Sequence, residues 1–137
     1  MTRILIADDS EVVRRGLSLL IQQHEGWDVC GEAADGMEVV ERAKQLSPDV
    51  VVLDFSMPVM NGIEAAKRIR LERPATGIVL CSMYLDEQLA SIARESGITS
   101  VLSKSSVRHI TNGIEAVLRG ESFDEEMEMQ SNAGSGH

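Results

Sequence analysis

The stretch VVVLDFSMPVMNG, Val50–Gly62, decides how the chain is read. Val50–Leu53 is apolar at every position and mostly β-branched. The run is too short for a helix and has no polar face. That pattern suits a strand buried on both sides, at the centre of a parallel sheet. It stops at Asp54. Pro58, Asn61 and Gly62 mark a loop, and Ile63, Ala66, Ile69 and Arg70 then begin a helical face. The stretch is therefore a strand, a carboxylate at its end, a loop and a helix start.

The same unit recurs on both sides. Upstream, Arg3–Ala7 is a short apolar run ending in Asp8-Asp9. Ser10 can cap a helix whose inner face is Val13, Leu17, Leu20, Ile21 and His24. Trp27–Ala33 reads as a second strand, closed by the Asp35-Gly36 turn signal, and Met37–Leu46 as a helix stopped near Pro48. Downstream, Gly77–Cys81 is a fourth strand. Asp86 caps a helix through Leu89, Ile92, Ala93 and Ser96, which Gly97 ends. Thr99–Ser103 is a fifth strand. Ser106 caps a last helix carrying Val107, Ile110, Ile114, Val117 and Leu118.

Five β/α alternations predict an α/β fold, a doubly wound parallel sheet with right-handed crossovers. Two strand orders are common, the Rossmann type and the flavodoxin-like (βα)5 order 2-1-3-4-5, and both place a ligand site beyond the carboxyl ends of the strands. The second order sets strands 2 and 4 about 14 Å apart. Cys30 and Cys81 could not then form a disulfide. They read as buried small hydrophobes, in no metal-ligand spacing.

Composition narrows the function. The net charge of −9 argues against direct binding to nucleic acid. No apolar run approaches a membrane span, and Met1-Thr2-Arg3-Ile4 opens no signal peptide, so a cytoplasmic protein is expected. Residues 1–120 are expected to form one domain. Residues 121–137 read as a flexible acidic tail, linker or cloning remnant, with Glu121, Asp124, Glu125, Glu126 and Glu128 forming a solvated cluster.

A parallel sheet brings the strand ends to one edge. There Asp8, Asp9, Asp54, Ser82 and Lys104 meet. At about 5 Å and an effective dielectric near 20, each pair of carboxylates repels by roughly 3 kcal/mol. Lys104 alone is not enough compensation. An oxygen-ligated cation such as Mg²⁺ is the natural partner. If the cluster is frustrated without metal, Asp9→Ala should raise the melting temperature of the metal-free protein.

These residues resemble the response-regulator receiver family of two-component signalling over roughly residues 2–119. The motifs are Asp8-Asp9, the D-x-x-M-P-x-M-x-G loop from Asp54 to Gly62, Ser82 and Lys104. The segments Ser82–Glu87 (SMYLDE) and Val117–Phe123 (VLRGESF) further resemble receivers of the NarL/FixJ type, which usually carry a DNA-binding domain. The resemblance implies that Asp54 accepts a phosphoryl group from a sensor histidine kinase. It implies that Asp9, Asp54 and the Ser56 backbone carbonyl ligate Mg²⁺, with Asp8 acting through a water. Lys104 and the Ser82 hydroxyl would hold phosphoryl oxygens, with backbone N–H groups at 55–56 and Met83 completing the cradle. Such a domain is not an enzyme with turnover beyond its own phosphorylation and slow dephosphorylation. Its output face, roughly residues 86–119, would control transcription in a longer protein and could pair two copies through the fourth helix, fifth strand and fifth helix.

The family's switch aromatic on the fifth strand is replaced here by Val101. Ser105 stands where many members have proline, which argues against a cis peptide there. Tyr84, the single tyrosine, lies two residues past Ser82 and reads as a loop-edge aromatic with a minority role in gating or partner contact. His24 and His109 read as helix residues without metal-binding mates, and Met57 and Met60 as loop packing. Two rival functions fit the sequence less well. An aspartyl-phosphate hydrolase of the haloacid-dehalogenase kind needs a second Asp at the position of Ser56. An unphosphorylated interaction module does not need the intact set of site residues.

Overall fold

The computed structural model describes residues 1–104 and 109–124. In chain order these form β1 (Thr2–Ala7), α1 (Glu11–Gln22), β2 (Trp27–Ala33), α2 (Gly36–Leu46), β3 (Val50–Asp54) and α3 (Gly62–Glu72). Then come β4 (Gly77–Ser82), α4 (Glu87–Glu95), β5 (Ser100–Ser103), α5 (Ile110–Leu118) and β6 (Phe123–Asp124). The strands form one parallel sheet in the order β2-β1-β3-β4-β5-β6. The expected 2-1-3-4-5 order is present, with one strand added at the edge.

That sixth strand, Phe123–Asp124, lies in the stretch from residue 121 that the sequence reads as a tail. Phe123 N–H donates to Thr99 O at 2.9 Å, and β6 pairs with Ser100 and Val101. The Phe123 ring packs against the core and meets His109 edge-on at 5.9 Å. A two-residue strand leaves no periodicity to read, so only the packing reveals it. Residues 125–137, with Glu125, Glu126 and Glu128, lie outside the described residues. So do Ser105, the cap expected at Ser106, and Val107.

The helices start where their caps are. Ser10, Asp35, Asn61 and Asp86 each accept a hydrogen bond from the backbone N–H three residues on. Such caps contribute about 1 kcal/mol each. Gly97 ends α4 with φ +86, a left-handed conformation that glycine adopts without a Cβ clash.

Strand alternation divides the core. Leu5, Ala7, Val51, Leu53, Ile78, Leu80 and Val101 share one core cluster with residues of α2, α3 and α4. Ile4, Ile6, Val50, Val52, Val79, Cys81 and Leu102 share the other with residues of α1 and α5. Cys30 packs against the first cluster and Cys81 lies in the second, and neither is in a disulfide. His24 falls just past the end of α1, and His109 lies in a 3-10 helical turn that leads into α5. His24 stacks on Trp27 at 3.6 Å and places Nε2 3.2 Å from Glu115, tying the α1–β2 turn to α5. No helix among the described residues is long and apolar enough to cross a membrane.

Candidate functional site: an acidic cluster at the strand ends

Register assembles the site. Ala7 lies beside Leu53, so the next residues along, Asp8 and Asp54, emerge side by side. Asp54 lies beside Cys81, and Ser82 beside Ser103. Lys104 therefore follows β5 at the same edge. Asp8 and Asp54 are 1% and 3% exposed, Ser82 is 3% exposed, and Asp9 is exposed to solvent. A carboxylate oxygen from each of Asp8, Asp9 and Asp54 lies within 4.8 Å of the others.

Lys104 bridges the two buried acids. Its Nζ is 2.7 Å from Asp8 Oδ2 and 3.1 Å from Asp54 Oδ2. Burial raises the Asp54 pKa, and the Asp8 charge adds to the shift. The Lys104 hydrogen bond and charge, with the Ser56 N–H, oppose it. Burial disfavours the Lys104 ammonium, but hydrogen bonds and charge from Asp8 and Asp54 outweigh it and raise its pKa. One ammonium thus serves two buried carboxylates, with Asp9 beside them. A hard cation held by oxygen ligands fits this donor set.

Backbone groups orient the acids. Asp8 Oδ1 accepts from Ser10 N–H at 2.9 Å, and Asp54 Oδ1 from Ser56 N–H at 3.3 Å. The Ser56 residue itself is exposed. Phe55 N–H donates to Cys81 O at 2.8 Å, carrying the β3–β4 ladder past Asp54. Gly62 packs so closely that a Cβ there would lie 2.4 Å from Asp54 O. The loop glycine is needed for that approach, since its φ is not left-handed. Ser82 Oγ accepts from Tyr84 N–H at 3.2 Å, so the hydroxyl proton is available to another acceptor.

Sequence reasoning missed Arg14. Its Nη1 donates to Asp8 O at 2.6 Å while its Nε pairs with Glu32 at 3.0 Å. It thereby ties the β1 end to β2. Glu32 is remote in sequence, so nothing local marked the pair. Val101 is buried in the core cluster below α4. Tyr84 is 85% exposed and borders a groove of about 270 Å³.

A doubly wound sheet that ends in three carboxylates and a shared lysine defines a phosphoacceptor class of signalling domain. The response regulator receiver domain family matches residues 4–115, and the chain belongs to that family. It is 38% identical over 122 residues to the transcriptional regulatory protein LiaR of Bacillus subtilis, covering 88% of this chain and 58% of LiaR. A two-component response regulator of the LuxR family from Aurantimonas superposes with a TM-score of 0.89 at 33% identity, covering 98% of each chain. A chain of the CheX–CheY–BeF3–Mg complex from Borrelia burgdorferi gives a TM-score of 0.72 at 30% identity, covering 75% of this chain and 78% of that one. The chain spans only 47–58% of the length of three such curated relatives.

Proposed function

We propose that this receiver accepts a phosphoryl group on Asp54 from a sensor histidine kinase in a Mg²⁺-dependent reaction. The observation that carries the reading is Lys104 bridging buried Asp8 and Asp54, with Asp9 within ligand distance. An Asp54 carboxylate oxygen forms the new P–O bond as the donor's P–N bond breaks, and the product is an acyl phosphate. Lys104 exchanges its contact with Asp54 for a phosphoryl oxygen. The Ser82 hydroxyl donates to another, and the N–H groups at 55–56 and Met83 line the cradle. Asp9, Asp54 and the Ser56 carbonyl are the proposed metal ligands, with Asp8 in contact through a water. Mg²⁺, when bound, supplies neutralising charge to the phosphoryl oxygens. The residues do the positioning that this chemistry needs, because phosphoryl transfer asks little covalent work of a protein.

In this reading the chain is a switch and not a turnover enzyme, acts in the cytoplasm, and controls transcription as part of a longer protein. The names of relatives such as LiaR support the last point. The receiver extends to Asp124, because partly buried Phe123 packs against the core. A homodimer through α4, β5 and α5 is the proposed output state.

Intact mass after incubation with acetyl phosphate and Mg²⁺ tests the reading. One added phosphoryl group in the parent and none in Asp54→Ala is expected. A folded parent that gains no mass would instead make it an unphosphorylated interaction module.

A further inference from the structure

Tyr84 has no role in the chemistry above, yet its setting is unusual. An aromatic side chain normally buries most of its area. Here the chain's single tyrosine is 85% exposed, beside a groove broad enough to take one aromatic ring. Phe55, Leu89 and Ile92 give that groove apolar walls, and Ser56 and Gln88 add polar groups. Ser82 and Tyr84 line it as well, so the groove adjoins the exposed tyrosine. The turn from Ser82 to Tyr84 is held by the Tyr84 N–H on Ser82 Oγ. A Ser82 hydroxyl that turns toward Asp54 therefore strains or releases its bond to the Tyr84 N–H.

We propose that the Tyr84 ring enters this groove, between Phe55 and α4, when Ser82 turns to a phosphoryl group on Asp54. The inference rests on the phosphoryl-acceptance reading above. In the unphosphorylated state the 82–84 turn holds the ring in solvent. Drawing Ser82 toward Asp54 shifts the turn in the direction of Phe55 and Ser56, and the ring closes over them. Burial of apolar area against Leu89 and Ile92 then favours the closed position. The surface of α4 that a partner meets differs between the two states. The ring area is what matters, so Phe serves in place of Tyr and Ala does not.

The full chain labelled with 3-fluorotyrosine gives one ¹⁹F resonance, and beryllofluoride with Mg²⁺ stands in for the phosphoryl group. The expected result is a moved resonance whose H₂O/D₂O isotope shift falls by about half or more on addition. Amide exchange across α4 is measured in parallel on the acetyl-phosphate-treated protein, at matched phosphorylation read by intact mass. Exchange should slow by roughly tenfold in the parent and Tyr84→Phe, and not in Tyr84→Ala. Mass gain with a tyrosine that stays solvent-exposed overturns the Tyr84 role and leaves the phosphoryl-acceptance reading intact. Mass gain with equal α4 slowing in Tyr84→Ala also overturns it. Absence of mass gain overturns the underlying reading, and the Tyr84 role with it.

Discussion

Val59 holds a backbone conformation that β-branched residues avoid. Its φ is +73, and Met60 N–H donates to Pro58 O at 2.8 Å, which closes a three-residue γ-turn around it. Such strain costs of order 1–3 kcal/mol, while glycine gives back roughly 0.5–1 kcal/mol as chain entropy. The Val59 side chain is 76% exposed, so little packing is at stake. Val59→Gly should therefore stabilise the protein by about 1 kcal/mol, read from urea unfolding. Asp54 carries a different strain. Its raised pKa means that the fold binds the Asp54 proton more tightly than the unfolded chain does. Stability then falls as pH rises from the ordinary carboxylate value through the raised folded value. Without a divalent cation, Asp54→Asn should melt above the parent at neutral pH, and the two should converge in acid. Lys104 keeps its 2.7 Å contact with Asp8 in that variant. Asp9 was expected to relieve the cluster in the same way, but it is exposed and its repulsion is screened. Asp9→Ala should change the cation-free stability by less than about 0.5 kcal/mol and still abolish the rise in melting temperature with Mg²⁺.

At the scale of elements, β3 and α3, the helix after it, are locked together by close contact. A Cβ on Gly62 would also lie 3.0 Å from Phe55 Cα and from Leu80 Cδ1. Backbone cannot yield as a flexible side chain can. Gly62→Ala should cost about 1–3 kcal/mol and lower phosphoryl uptake, because it pushes on Asp54 itself. α4 depends on its cap. It spans only nine residues, and Asp86 Oδ1 accepts from Leu89 N–H at 2.7 Å. Asp86→Ala should cost about 1 kcal/mol, seen first as faster amide exchange in α4. The caps at Ser10 and Asp86 were legible because side-chain oxygens before apolar periodicity have one common use. Neither the role of Arg14 nor β6 was legible, since each depends on a partner from a distant part of the chain.

Across the whole molecule, the sheet separates two cores and with them the two cysteines. Burial raises the Cys30 thiol above its ordinary value, and Cys81 is itself buried. Both should resist iodoacetamide at pH 8 in the folded protein and react in urea, by intact mass. The sequence by itself determined the alternation of strands and helices, and hence the class of fold. Period-2 and period-3.6 patterns are local properties of a chain. It also determined which polar residues end the strands, because an apolar run that stops at Asp54 or Lys104 is visible without coordinates. Only the tertiary structure decided that Asp8 and not Asp9 is the buried partner of Lys104. Asp8 directly follows β1 and is buried, whereas Asp9 lies in the bend before α1 and is exposed, and only the packing around the end of β1 sets that difference. It alone decided that Tyr84 stands in solvent beside an open groove, since exposure is a property of neighbours and not of residue type.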